Sequence, residues 1–150
     1  MNISSSDAFN GVVPAACDAE AGLAQCISSA RGGLAPWQVR KVIGHIDANL
    51  ERTIRNDDLA ALVRLTPSHF GRTFRNSVGE PPHEYVIRRR IERAQGLMLS
   101  TEAKLSDIAL DCGLADQSHL TRLFRKIVGE SPRAWRRARF NPSTERPASL

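Results

Sequence analysis

Cysteine is scarce in this chain, and its pattern excludes a disulfide framework. The 150 residues contain three cysteines, Cys17, Cys26 and Cys112, and no two of them have the CxxC spacing. Small domains held together by disulfides carry even numbers of cysteines at regular spacings. We therefore expect a protein of a reducing compartment, with the cytoplasm as the default location.

The chain also lacks the patterns that metals, membranes and catalysis require. It has no apolar run long enough to span a bilayer and no basic start followed by an apolar core, as in a signal peptide. It has no phosphate-binding loop and no nucleophile paired with a base, so we expect neither an enzyme nor a cofactor. No metal-ligand spacing joins the cysteines to any of the four histidines, His45, His69, His83 and His119.

Positive charge is present but unevenly distributed. The formal net charge is +5 and the pI about 9.7. Residues 1–33 hold one basic and three acidic residues, whereas the remainder holds 20 basic and 13 acidic residues. A compact basic region suits a polyanionic partner, either nucleic acid or an acidic membrane surface, although a basic surface that serves only solubility is the alternative.

Helical periodicity runs from Pro36 onwards, and no segment has a convincing strand pattern. We predict an all-α fold of about seven helices. Residues 1–35, rich in Ser, Ala and Gly, are expected to be a loose or weakly helical tail, and residues 141–150 a disordered one. The predicted helices are Pro36–Leu50, Asp57–Arg64, Pro67–Val78, Pro82–Ser100, Leu105–Cys112, a helix capped by Asp116 that runs to Val128, and Pro132–Arg139.

Local signals fix most of these helix ends. Asn56, Thr66 and Asp116 have side chains that suit the N-cap position. Ser131 is expected to cap the last helix in the same way. Glycine follows the last residue of three helices, as it does where the chain turns into the left-handed region, at Gly79, Gly113 and Gly129.

A short unit occurs twice, once on each side of the long helix Pro82–Ser100. The copies read LAALVRLTPSHFGRTFRNSVGEPP and IALDCGLADQSHLTRLFRKIVGESP, beginning at Leu59 and Ile108. Their offset is 49 residues up to Leu65 and 50 residues from Ser68 onwards, which predicts a turn at that point in both copies. A short helix, a turn and a longer helix form the helix-turn-helix outline, so we predict a duplicated unit of this kind.

The second helix of each unit has one apolar face and one polar face. Phe70, Phe74 and Val78 are predicted to face the core in the first unit, as are Leu120, Phe124 and Val128 in the second. Hydrogen-bonding side chains and arginine are the types that read base edges and phosphates in a major groove, although charged outward faces are often only solvated. The outward residues are Ser68, Gly71, Arg72 and Arg75 in the first unit, and Gln117, Ser118, His119, Thr121, Arg122 and Arg125 in the second.

Matched arginines in the two copies favour DNA contact over a merely solvated face. Gly71 costs about 1 kcal/mol in a helix relative to alanine. It is either idiosyncratic or a place where the backbone approaches DNA. Gly71 also provides no side chain for contact with a base. We therefore predict that the second unit carries more of the base discrimination.

Residues 36–139 resemble the DNA-binding domain of the AraC/XylS family of bacterial transcription regulators, above all in DCGLADQSHLTRLFRKIVGESPRAWRR, Asp111–Arg137. The resemblance implies two helix-turn-helix subdomains, residues 36–80 and 101–140, joined by a linker helix, residues 81–100. It also implies recognition of successive major grooves of promoter DNA in the bacterial cytoplasm and nucleoid, with RNA polymerase as a candidate second partner.

Site residues follow by alignment and by chemistry. The resemblance implies base contacts at Ser68, Gly71, Arg72, Gln117, Ser118, His119 and Arg122, to which the outward face adds Thr121. Side-chain chemistry predicts phosphate contacts at Arg75, Arg125, Lys126, Arg133 and Arg136.

The chain departs from many family members in length, since only about 35 residues precede the match. The sequence therefore predicts a stand-alone monomer without a small-molecule effector, or else a fragment of a longer protein. Two other functions stay open: a non-specific architectural DNA binder, and a protein-interaction module or antagonist that uses the N-terminal segment or the basic linker helix.

Overall fold

A computed structural model describes residues 32–139, and within that range the chain is helical without any strand. The all-α prediction is confirmed. The predictions for residues 1–31 and 140–150, which make up most of the two expected tails, lie outside the described residues. The helices are α1 (Pro36–Ala48), α2 (Asn56–Leu62), α3 (Pro67–Val78), α4 (Pro82–Ser100), α5 (Leu105–Asp111), α6 (Gln117–Val128) and α7 (Pro132–Arg139).

Side-chain caps and left-handed glycines bound the two longer helices of the repeat. The N–H of His69 donates to Thr66 Oγ1 at 3.4 Å, and that of His119 donates to Asp116 Oδ1 at 2.7 Å. Each bond satisfies an amide that the first turn of a helix leaves without a partner. Gly79 and Gly129 end these helices at φ of 92° and 89°. The predicted bounds of α3 and α6 are confirmed.

Four predicted helix boundaries need correction. Asn56 does not cap α2 but is its first residue, because its side-chain amide donates instead to the carbonyl of Pro67 at 3.3 Å. Helix α2 ends at Leu62 rather than Arg64, since Arg64 adopts a left-handed φ of 57° that no helix can include. Helices α1 and α5 end two residues and one residue earlier than predicted, at Ala48 and Asp111.

The linker helix α4 belongs to two separate hydrophobic cores. Tyr85 and Val86, near its start, are buried in the core of the first unit with Phe70 and Phe74. Farther along, α4 enters the core of the second unit with the buried residues Ile91, Ala94 and Met98. Each large apolar side chain that is fully buried stabilises the fold by about 1.5–3 kcal/mol, so α4 is anchored at both ends.

The first core begins before α1. Leu34 is buried, and its N–H donates to Ser77 Oγ at 2.6 Å across 43 residues of sequence. Leu34 thus precedes the predicted start of the folded part at residue 36. Ser77, on α3, is itself buried because this bond satisfies its hydroxyl.

Candidate nucleic-acid interface

The outward faces of α3 and α6 lie in solvent while their opposite faces are sealed. Phe70 and Phe74 on α3, and Leu120 and Phe124 on α6, are completely buried. The outward residues that are exposed are Ser68, Arg72, Arg75, Gln117, Ser118, Arg122 and Arg125, and those that are half-buried are Gly71, His119 and Thr121.

On α6 the outward residues surround one open depression in the surface. Gln117, Ser118, Thr121, Arg122 and Arg125 line it. The Thr121 hydroxyl donates to the carbonyl of Gln117 at 2.9 Å, which keeps that hydroxyl against the helix. The remaining four side chains therefore present the donors and acceptors that a ligand meets first.

The arginines of these faces have no partner within the described residues. No ion pair or side-chain hydrogen bond among residues 32–139 involves Arg72, Arg75, Arg122 or Arg125. A guanidinium carries five N–H donors in a planar fork, which matches a phosphate or the edge of guanine. These groups are therefore available to a polyanionic ligand.

The arginines of α4, in contrast, have partners within the molecule. Arg88 pairs with Glu80 and Glu92, both at 2.6 Å, while Arg89 pairs with Asp47 at 2.8 Å. Burial alone would lower the pKa of Arg88, but the hydrogen bonds that Arg88 donates to Glu80 and the charge of Glu92 leave that pKa raised. The basic linker surface expected from the sequence is thus largely neutralised within the molecule.

Arg136 also differs from its expected role at phosphate. Its guanidinium donates to the carbonyl of Ala103 at 2.7 Å and to that of Thr101, and the side chain is half-buried. It therefore ties α7 to the loop between α4 and α5. Lys126 and Arg133 are exposed, so both side chains are accessible to a phosphate.

Packing does not explain the glycine in the middle of α3. A Cβ added at Gly71 would meet nothing within 4 Å. The space beside it is open to solvent on the same face as Arg72 and Arg75. Of the two readings of Gly71, a close approach by a ligand remains compatible with this open surface.

His119 lies where the outward face of α6 meets the first unit. Its Nδ1 accepts from the N–H of Ala115 at 3.4 Å, and its ring lines a crevice that also involves Asn56 and His83. Among the described residues no cluster of histidine, cysteine and carboxylate side chains has the arrangement of a metal site. Nor is any helix in residues 32–139 long and apolar enough to cross a membrane.

Two helix-turn-helix units on one shared helix, each with a polar, arginine-bearing outward face, define the class of helix-turn-helix DNA-binding domains. A helix-turn-helix domain family model matches residues 59–138. The chain belongs to the AraC/XylS family of transcription regulators.

Curated relatives of the chain are regulators. It is 33% identical over 88 residues to the probable transcriptional regulator LumQ of Photobacterium leiognathi, covering 59% of this chain and 36% of LumQ. It is also 33% identical over 98 residues to the transcriptional activator AarP of Providencia stuartii, covering 65% of this chain and 73% of AarP. The chain spans about a third of the length of the curated relatives it matches first.

Solved structures share the fold. An AraC-type regulator from Chromobacterium violaceum matches with a TM-score of 0.65 at 27% identity, over 70% of this chain and 94% of that one. The DNA-binding domain of AdpA, solved in complex with a target DNA, matches with a TM-score of 0.64 at 28% identity. That match covers 67% of this chain and 90% of the AdpA domain.

Proposed function

We propose that this chain regulates transcription by binding double-stranded DNA in a sequence-specific manner, with α3 and α6 in successive major grooves. One observation carries the proposal: Arg72, Arg75, Arg122 and Arg125, at matched positions on the outward faces, have no ion pair or side-chain hydrogen bond among residues 32–139. Arg88 and Arg89 of α4, in contrast, pair with carboxylates. The similarity to the AdpA domain, whose structure contains its target DNA, supports the same reading.

Base discrimination is assigned mainly to the second unit. Arg122 suits a two-bond contact with guanine, and Gln117 suits the same kind of contact with adenine. Ser118, His119 and Thr121 complete that surface. The first unit offers Ser68, Gly71 and Arg72, of which only Arg72 has a long side chain.

Phosphate contacts are assigned to four exposed basic residues, Arg75, Arg125, Lys126 and Arg133. Such contacts fix the position of a protein on the duplex and provide most of the salt-dependent affinity. We further propose that the chain acts as a monomer in the cytoplasm and nucleoid, on promoter or operator DNA, without catalysis or an effector. RNA polymerase is the proposed second partner.

The test begins by selecting bound sequences from a random duplex pool. On the selected duplex, Arg122→Ala is expected to weaken binding by about 1–3 kcal/mol and to relax the preference at one base pair. Lys126→Ala is the matched control on the same helix. It should weaken selected and random DNA alike and flatten the dependence of affinity on salt.

Each competing function has its own outcome in this experiment. Equal weakening of selected and random duplexes by Arg122→Ala would count against a base-reading role for Arg122. If the wild-type chain binds selected and random duplexes equally well, it is a non-specific architectural binder. If the wild-type chain binds no duplex at low salt, it is a protein-interaction module. Either of these last two results overturns the proposed function.

A further inference from the structure

The turn of the second unit rests directly on the first unit. Gly113 follows α5 at φ +71°, and a Cβ built on it would lie 2.3 Å from the carbonyl oxygen of Leu50. The same Cβ would lie 3.0 Å from the carbonyl carbon of Glu51. Leu50 and Glu51 belong to the loop between α1 and α2, so two backbones that are more than 60 residues apart are in contact here.

Arg90 of the linker helix contacts both the α1–α2 loop and Gly113 at this place. Its Nε donates to the carbonyl of Leu50 at 3.0 Å, and its Nη2 donates to the carbonyl of Arg52 at 2.7 Å. The Cβ that Gly113 lacks would be 3.1 Å from Arg90 Nη2. The guanidinium therefore lies against Gly113 and the α1–α2 loop, and burial lowers its pKa.

An open crevice lies between the two units beside this contact. A cavity of about 320 Å³ is lined by Ile54, His83 and Ile87 on one side and by Leu114 and Leu123 on the other. Each unit also has its own core on a different stretch of α4. The Gly113–Leu50 contact and the hydrogen bonds of Arg90 therefore join the two units directly, through Gly113 and Arg90, which belong to neither core.

We propose that Arg90 and Gly113 form an inter-unit clamp that sets the angle between α3 and α6, and with it the spacing of the two DNA half-sites. The proposal rests on the proposed function, because it assumes that both helices bind one duplex. Arg90 acts as a positioning residue, since it bonds to backbone carbonyls of the first unit rather than to DNA.

The test measures how tightly the chain selects half-site spacing. The probe is the duplex that the full wild-type chain selects from a random pool, together with versions that have one or two base pairs added or removed between the half-sites. Each added base pair moves a half-site by about 3.4 Å and turns it by about 35°. A clamped pair of helices cannot follow that change without losing contacts.

Two variants break the clamp, and each has a matched control. Gly113→Ala forces the backbones apart, whereas Gly129→Ala carries a similar backbone strain at φ +89° with nothing within 4 Å of the new Cβ. Arg90→Ala removes two hydrogen bonds to the α1–α2 loop. Arg88→Ala, on the same helix, is its control, because it removes bonds to Glu80 and Glu92, which lie outside that loop.

The wild type and both controls are expected to lose about tenfold in affinity for each base pair of wrong spacing, a difference of about 1.4 kcal/mol. Gly113→Ala and Arg90→Ala are expected to shift the preferred spacing or to flatten the profile to about threefold or less. A profile identical to that of the controls would overturn the clamp.

The two proposals fail in different ways. If no sequence is selected from the pool, the proposed function fails. If a sequence is selected but the clamp variants keep the wild-type spacing profile, only the clamp fails. Circular dichroism first checks that each variant is folded, and if Gly113→Ala is not, Arg90→Ala decides the test, because it adds no atom.

Discussion

At the scale of single residues, Tyr85 is the only tyrosine of the 150 residues, so its ionisation can be followed without interference from other phenols. The ring is buried at the start of α4, edge-on to Phe74 at 5.7 Å between centroids, with the guanidinium of Arg88 above it. Burial raises the pKa of Tyr85 to about 12, and the negative charge of Asp47 adds to the effect. We predict that absorbance titration shows phenol ionisation near pH 12, with the fold followed by circular dichroism.

The raised pKa of Tyr85 determines how this residue makes the stability of the fold depend on pH. The pKa is higher in the folded chain than its ordinary value of 10.0. The contribution of Tyr85 to stability is therefore complete below pH 10 and is lost as pH rises from 10 towards 12. Tyr85→Phe should remove this part of the pH dependence of the urea midpoint. Ionisation near pH 10 in chain that is still folded would show that the ring is not buried as described.

Arg64 is a second residue of interest, because its backbone conformation affects stability. It occupies the left-handed region at φ 57° and is exposed, at the position that Gly113 holds in the second unit. The left-handed region costs a residue with a side chain about 1–2 kcal/mol. Glycine avoids that cost but gains about 0.4–1 kcal/mol of freedom in the unfolded chain.

We therefore predict that Arg64→Gly raises the free energy of unfolding by about 0.5–1 kcal/mol. Arg40→Gly, at an exposed position within α1, is the matched control and should lower it by about 1 kcal/mol. Urea unfolding of the two variants gives both values. If the two changes destabilise equally, the left-handed conformation of Arg64 is not a source of strain.

Single residues predicted the starts of helices correctly only where the capping hydrogen bond was formed within the same turn of the chain. Thr66 and Asp116 cap their helices because the bond to the N–H three residues later needs no other part of the chain. Asn56 looked like the same signal, but the carbonyl of Pro67, 11 residues away, takes its amide. Arg64 gave no signal, since an arginine at a left-handed turn cannot be told from any exposed arginine.

At the scale of elements, α3 combines an ordinary buried face with an unusual glycine. Alanine at Gly71 would have open space around its Cβ, and helix interiors favour alanine over glycine by about 0.5–1 kcal/mol. We predict that Gly71→Ala stabilises the chain by that amount and yet weakens binding to the selected duplex. Gly44→Ala, on α1 with equally open space, should stabilise it and leave DNA affinity unchanged.

Both variants are checked by urea unfolding and by titration with the selected duplex. A gain in stability without any loss of affinity in Gly71→Ala would mean that DNA does not approach the backbone of α3 there. The glycine would then be a feature of the sequence without a role in binding.

The bounds of α4 followed from its sequence, but the partners of its side chains did not. Pro82 at the start and a regular apolar stripe were enough to predict 19 residues of helix. The acceptors of Arg89 and Arg90 are Asp47 and the carbonyl of Leu50, 42 and 40 residues earlier. Only the folded arrangement of α1 beside α4 brings these groups together, as it does Leu34 and Ser77.

At the scale of the whole molecule, positive charge is sorted by the fold rather than spread over it. The arginines of α4 face carboxylates and carbonyls of the first unit, whereas those of α3 and α6 have no such partner among the described residues. From the sequence, Arg75 and Arg125 are predicted phosphate contacts, whereas the basic linker helix is a candidate surface for protein interaction. The pairing of Arg88 and Arg89 leaves the arginines of the two outward faces, together with the exposed Lys126 and Arg133, as the basic groups of the candidate site.

The length of α4 leads to a prediction about the DNA. Helix α4 has 19 residues and is about 28 Å long, at 1.5 Å per residue. Successive major grooves on one face of straight DNA lie about 34 Å apart. If the clamp keeps α3 and α6 closer than that, both can enter their grooves only when the duplex bends, which costs about 1–6 kcal/mol for a bend of 40–90°.

We therefore predict that a circular-permutation gel shift shows bent DNA when the full chain binds the selected duplex. Arg72→Ala combined with Arg75→Ala removes the long side chains from the outward face of α3, and this variant should bind through α6 and bend the duplex less. A flexible TA or CA step between the half-sites should also raise affinity, because it lowers the cost of bending. Straight DNA in a complex whose footprint protects both grooves would contradict this prediction.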